Sequence, residues 1–242
     1  MFKTHFLNLE KLLYREALSL MRDLVDLKSR SPWPEVLIIT EHEPVLTMGR
    51  RAELSDILVP QEFLASKGIG VHRVERGGLI TYHGPGQLVA YPVFNLRAMS
   101  FSVGELVHGL EEAILHTLSD FGIGAGRVEG KRGVWVDGEK IASIGIAVRK
   151  GISFHGVALN CDPVLSNFDL ITPCGLSGVR MTSMAKLLKA PVDTTTVREA
   201  MALHFKDRFR LDLTECFLDR CYGISPRKEI SVPCPASGLH AP

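Results

Sequence analysis

Apolar residues recur at helical spacing over residues 9–27 (Leu9, Leu12, Leu13, Ala17, Leu20, Met21, Leu24), with Lys11, Arg15 and Arg22 between them, which predicts an amphipathic helix. Ser31-Pro32-Trp33-Pro34 then stops it. Short β-rich apolar runs follow at 36–40, 44–48, 71–74, 79–82 and 88–94, each bounded by turn residues and each read as a strand. Ser102-Val103-Gly104-Glu105 has capping-box spacing ahead of Leu106, Val107, Leu110, Ile114, Leu115 and Leu118, so a second helix runs from there to Gly122. Three further strands are expected at 134–136, 140–148 and 152–159, with Asp137-Gly138 as a hairpin turn between the first two. A short helix at 184–188 and one from Thr196 to about Phe209, capped by Thr196-Val197-Arg198-Glu199, complete the pattern. Beyond Cys221 proline and glycine punctuate the sequence, which reads as a mobile tail.

With 45% hydrophobic and 23% charged residues among 242, the chain has the apolar content for one large α/β core. We expect one domain over 1–215 and an extension over 216–242. Twenty-eight Lys and Arg against 27 Asp and Glu leave a net charge of +1, so no global field points to nucleic acid or an anionic membrane. The first residues lack a signal-type core and no run of apolar residues is long enough to span a bilayer, so a cytoplasmic protein is expected. Five cysteines, an odd number without regular spacing, argue against a disulfide framework, and no Cys-x-x-Cys pair suggests zinc.

Arg76-Gly77-Gly78-Leu79-Ile80-Thr81-Tyr82-His83-Gly84-Pro85-Gly86-Gln87 places four glycines among cationic, ring and amide side chains, between apolar segments. Such a run builds a binding wall: glycines let backbone approach a ligand, and Arg76, Tyr82, His83 and Gln87 offer directed polar contacts. Cys174, in Thr172-Pro173-Cys174-Gly175-Leu176, sits on a turn, where a thiol is a candidate nucleophile as well as a small hydrophobe. Only its thiolate would react, so a nearby cation or base is required. Lys140, just past the Asp137-Gly138 turn and before the small residues Ala142-Ser143-Ile144-Gly145, can fill both roles, and is otherwise a solvated strand-edge lysine. His83 is the rival partner, as base or as a positioning hydrogen bond. His72, His108, His116, His155 and His204 lack convergent partners and read as structural or exposed. Phosphate-loop, dinucleotide, serine-elbow and zinc-protease motifs are absent, which argues against those chemistries.

Taken in order, Glu41-His42-Glu43-Pro44-Val45-Leu46-Thr47-Met48-Gly49-Arg50, the Arg76–Gln87 run, Glu139-Lys140-Ile141-Ala142-Ser143-Ile144-Gly145 and Thr172-Pro173-Cys174-Gly175 resemble the octanoyltransferases of protein lipoylation over about residues 35–190. The resemblance implies an α/β domain of the biotin/lipoate protein ligase type, a mixed sheet with flanking helices around an acyl-binding tunnel. It implies transfer of an octanoyl or lipoyl group from acyl carrier protein to a lysine of lipoyl domains, those of oxoacid dehydrogenase E2 subunits and of the glycine cleavage H protein. Cys174 would then be the acyl-thioester nucleophile and Lys140 the group that activates it. Arg76, Gly77, Gly78, Leu79, Ile80, Thr81, Tyr82 and His83, with Ser143, Ile144, Gly145, Gly156, Val157 and Ala158, would bind substrate, without metal or other cofactor. The alternatives are an ATP-dependent lipoate or biotin ligase, which shares the fold and needs no cysteine, and a non-catalytic acyl-carrier binding protein.

Overall fold

A computed structural model of the chain describes residues 1–172, 179–217 and 222. Its core is an eight-stranded mixed sheet built from β1 (Phe2–Lys11), β2 (Glu35–Glu41), β6 (Gln87–Val93), β7 (Gly126–Val128), β8 (Lys131–Val136), β9 (Glu139–Arg149), β10 (Ile152–Asn160) and β11 (Leu211–Glu215), in the order β11-β1-β2-β6-β10-β9-β8-β7. A small second sheet has β3 (Val45–Met48) between β4 (Gly70–Arg73) and β5 (Ile80–His83).

The large sheet is covered on both faces, so its central strands are apolar without alternation. Leu37, Ile39, Leu88, Ala90, Val157 and Leu159 face a core shared with helices α3 (Val103–Asp120) and α5 (Thr194–Phe209). Val36, Ile38, Val89, Tyr91 and Ala158 face the opposite core, against Ala17, Met21, Leu24 and Val25 of helix α1 (Tyr14–Arg30). The small sheet packs Leu46, Met48, Ile80 and Tyr82 against Leu64 of α2 (Gln61–Ser66) and Phe168.

The capping box at Ser102 forms as its spacing predicts: Ser102 Oγ accepts from Glu105 N at 3.1 Å and Ser102 N donates to the Glu105 carboxylate at 2.7 Å. The Asp137-Gly138 turn has φ of +48° and +81°, the two left-handed residues that match a tight hairpin to strand twist. Two expectations are corrected, and one strand carries no signal of its own. Residues 9–11, expected to begin the helix, instead end a strand over 2–11, because Leu7 and Leu9 meet the α1 core while Phe2 and Phe6 meet the α3/α5 core, a period of two that the helical spacing from Leu9 concealed. Helix α5 is capped by Asp193, whose carboxylate accepts from Thr195 N at 3.0 Å, from Thr196 N and from the Thr196 hydroxyl; Thr196 is thus inside the first turn. Strand β11, five residues with little apolar content, forms by pairing in parallel with β1.

Between Asn8 and Lys11 the β1–β2 register shifts, which leaves carbonyls there without ladder partners. Arg198 of α5 supplies them, donating to Leu9 O, Glu10 O and Asn8 Oδ1. Among the described residues no helix is long and apolar enough to cross a membrane.

Candidate active site

Between the two sheets lies a cavity of about 680 Å³, within the size range of small-molecule sites. One wall is the loop of Arg76, Gly77, Gly78 and Leu79 with Ile80, Thr81 and His83 of β5; the facing wall is Ser143, Ile144, Gly145 and Ile146 of β9 with His155, Gly156, Val157 and Ala158 of β10. Tyr14, Val89 and Tyr91 close it on the α1 side. Trp135 and Lys140 line it beside Gly130, Lys131 and Arg132, and Arg51 stands at its rim; Arg51, Lys131 and Arg132 are exposed.

Gly156 is a glycine for a steric reason: a Cβ there would stand 2.0 Å from Ala90 O on β6, so only a bare backbone lets β10 lie this close. Arg76 shapes the glycine loop. It is buried, its Nη2 donates to Thr47 O and to Thr47 Oγ1 at 2.8 Å, and it packs where side chains on Gly49 and Gly145 would collide with it. The loop N–H of Gly77 in turn donates to Ile146 O at 2.9 Å, joining the walls.

Of the fourteen residues that the family resemblance assigns to the substrate site, Tyr82 alone is absent from the lining. Strand alternation turns its ring to the other face, against Phe168, where its hydroxyl accepts from Asn167 Nδ2 at 2.9 Å. Gln87, also read as a ligand contact, is spent on buried protein hydrogen bonds. Gly84 is buried beside Tyr82, whose hydroxyl would lie 2.0 Å from a Cβ there, and does not line the cavity.

Lys140 is the second residue of β9 and is 5% exposed. Its ammonium lies 5.2 Å from the centroid of the Trp135 ring, a cation–π contact in a sheltered place. The room for its stem comes from Gly133, at φ +115°, where a Cβ would be 2.6 Å from Lys140 Cε. Its backbone is tied on both sides: Lys140 N donates to Arg180 O at 2.8 Å, and Thr182 N donates to Lys140 O at 2.9 Å. Residues 180–182 therefore lie directly against the backbone of the lysine. At the other flank Thr172 N donates to Asp56 O at 2.8 Å. Cys174 itself lies outside the described residues.

The remaining described cysteines are unsuited to covalent catalysis. Cys161 is fully buried, and that burial pushes its thiol up to about 12. Cys216 is disulfide-bonded, a bond that neither the cysteine count nor the spacing predicts.

His83 belongs to a chain of directional hydrogen bonds. Thr182 O can only accept, so Asn160 presents Nδ2 to it at 3.0 Å and turns Oδ1 toward Gln87, which donates from Nε2 at 2.8 Å. Gln87 Oε1 must then accept from His83 Nδ1–H at 2.6 Å, which leaves Nε2 of a neutral imidazole as an acceptor. Burial, reinforced by His42, lowers the His83 pKa to about 3, so the ring stays neutral at physiological pH. Tyr14 stacks on it at 5.9 Å.

Sequence reasoning missed Tyr14 and Tyr91, which fall unmarked inside a predicted helix and a predicted strand, and the structural role of His42. His42 donates from Nδ1 to Leu12 O at 2.6 Å and accepts at Nε2 from the Tyr91 hydroxyl at 2.7 Å. His155, read as having no convergent partner, is corrected: it is buried at the cavity, at φ +57°, with Nε2 3.7 Å from the Glu75 carboxylate, and burial and Arg76 lower its pKa to about 4. The partner carboxylate is 80 residues away, so spacing holds no trace of it. Among the described residues no group of three His, Cys, Asp or Glu is arranged to hold a metal ion.

The family model of the lipoyl protein ligase A/B catalytic domain matches residues 13–206. An octanoyltransferase of Syntrophobacter fumaroxidans is 43% identical over 214 residues, covering 88% of this chain and 93% of that protein. One from Caldanaerobacter subterraneus is 45% identical over 186 residues, covering 76% and 81%. In fold, the chain is similar to a lipoate-protein ligase A solved with ATP, at a TM-score of 0.71, 19% identity and 88% coverage of each chain. A glycine-walled cavity with a sheltered lysine, on a fold shared with lipoate ligases and in a sequence close to these relatives, identifies the chain as a member of the octanoyltransferases of the lipoyl protein ligase A/B family.

Proposed function

We propose that this octanoyltransferase carries its acyl group on Cys174, activated by Lys140, and moves it from acyl carrier protein to lipoyl domains of oxoacid dehydrogenase E2 subunits and of the glycine cleavage H protein, in the cytoplasm. The observation that carries the reading is the placement of Lys140: a buried ammonium in the wall of the cavity, hydrogen-bonded through its backbone to Arg180 and Thr182, a few residues beyond Cys174 in the chain. A cation so placed favours the thiolate, the reactive form of a cysteine.

The thiolate attacks the thioester carbonyl of the carrier, and the carrier thiol leaves with a proton delivered by Lys140. The acyl chain lies along Ile144, Val157 and Ala158, where each methylene removed from water contributes about 0.8 kcal/mol. A lysine amine then takes the acyl group. Exchange of one thioester for another is nearly balanced and the final amide is more stable, so transfer needs no nucleotide. Arg51, Lys131 and Arg132 at the rim suit a partner with acidic surface and a phosphate-bearing arm.

Mixing the protein with octanoyl-carrier in the absence of ATP tests this. Intact-mass analysis should show one octanoyl group on the wild type and none on Cys174→Ala. Strict dependence on ATP, or an adduct that survives Cys174→Ala, would refute it.

A further inference from the structure

Forming the amide requires that the target nitrogen, which arrives as an ammonium, lose two protons. As the N–C bond forms and the C–S bond breaks, one proton returns to the Cys174 sulfur and the other goes to solvent. Lys140 accounts for one transfer at a time, between nitrogen and sulfur. The second N–H needs an acceptor of its own, and the described cavity wall contains one built for the purpose.

We propose that Nε2 of His83 accepts a hydrogen bond from the attacking lysine amine, aiming its lone pair at the thioester carbon, and that Gln87 and Asn160 are positioning residues that keep this nitrogen an acceptor. The proposal rests on the covalent reading of Cys174. Its geometric support is the one-way chain from Thr182 O through Asn160 and Gln87 to His83 Nδ1, with every member buried. Nε2 has no hydrogen-bond partner among the described residues, and His83 lines the same cavity as Lys140. The chain and the lysine share one anchor, since Thr182 receives Asn160 at its carbonyl and donates its own N–H to Lys140 O. An acceptor at this point has no use for the acyl chain or the thioester carbonyl, neither of which donates. The amine does.

The groups bearing on His83 are Tyr14 of α1, His42 after β2, Arg76 of the glycine loop and His155 of β10. None is a carboxylate, so among the described residues no counter-ion favours the protonated form of the ring, in which Nε2 would donate instead of accepting.

The test separates the two half-reactions. Acyl-enzyme formation from octanoyl-carrier and discharge of purified acyl-enzyme onto a lipoyl domain are each followed by intact mass in single turnovers. His83→Phe should slow discharge on the order of 10²-fold and slow formation much less, while His83→Gln, which keeps an acceptor oxygen, recovers most of the loss. Gln87→Glu places a carboxylate on Nδ1–H and stabilises the imidazolium. Discharge by that variant should fall at low pH and recover through a new titration that the wild type lacks, whereas simple loss of packing would lower the rate evenly across pH. Discharge by folded His83→Phe at the wild-type rate, equal losses in both halves, or a flat pH profile for Gln87→Glu overturns the proposal. If His83→Phe shows no cooperative melt, the Gln87→Glu profile decides. Failure of the wild type to form any acyl-enzyme refutes the covalent reading instead, before His83 is tested.

Discussion

Lys140 is held in place by an absent side chain, and Gly133→Ala tests that arrangement. At φ +115° an alanine is strained by about 1–3 kcal/mol, and its Cβ would stand 2.4 Å from Ala142 O and 2.6 Å from Lys140 Cε. The carbonyl is fixed in the β8–β9 ladder, so the lysine stem must yield. Restoring ordinary contact at about 3.6 Å displaces Cε by about 1 Å. Misplacing a catalytic group by that distance costs about 10²-fold in rate. Gly138→Ala is the control: it too has positive φ, +81°, but a Cβ there meets nothing within 4 Å. Both variants should therefore lose stability, by about 2–4 °C in Tm per kcal/mol for a chain of this size. Only Gly133→Ala should lose acyl-enzyme formation, measured by intact mass at a temperature where both are folded. A folded Gly133→Ala that acylates at the wild-type rate, or a Gly138→Ala that fails equally, would show that the seat of Lys140 does not govern the chemistry.

Other outcomes follow from the same geometry. Lys140→Met should keep the melting transition and lower acyl-enzyme formation by about 10²–10⁴-fold, the range for a lost proton-transfer group; an unchanged rate would remove Lys140 from the mechanism. Shortening the donor from octanoyl to hexanoyl removes two methylenes, about 1.6 kcal/mol at 0.8 per group, so kcat/KM should fall about 15-fold if the cavity holds the chain, and a flat chain-length series would mean it does not. His42 and His83 have folded pKa values of about 4 and 3, below the unfolded 6.5. The unfolded chain thus binds more protons between those limits, and each histidine should remove up to about 1.4 kcal/mol of stability per pH unit as pH falls from 6.5, measurable as Tm between pH 7 and 5. Charge reversal at Arg51, Lys131 and Arg132 together should lower kcat/KM for the carrier, and the difference from wild type should shrink as salt is raised; a salt-independent effect would speak against steering.

Much of the fold was legible wherever one signal spoke alone. Strand β10 reads plainly because both of its faces are buried, and the helix at Ser102 because its cap and its apolar stripe agree. Legibility failed where two patterns overlapped. Leu9 and Leu12 fit a helical stripe although they reach the core from a strand and a connection, and β11 owes its strand to β1 rather than to its own residues. The same division holds for the cavity. Glycines whose vacancy lets walls approach leave a mark in the sequence, as Arg76-Gly77-Gly78 does. The Gln87–Asn160 link between strands, 73 residues apart, and the closing of one side by Tyr14 leave none.

Arg198 has a kinetic consequence. It joins a late helix to carbonyls of β1 up to 189 positions earlier in the chain, at the spot where the register of that strand slips. Such a clasp cannot engage until the intervening polypeptide has collapsed, and its loop-closure entropy makes it a late event in folding. Strand β1 and α5 should accordingly gain amide-exchange protection together, as one cooperative unit, after the β9–β10 hairpin, whose partners are neighbours in sequence.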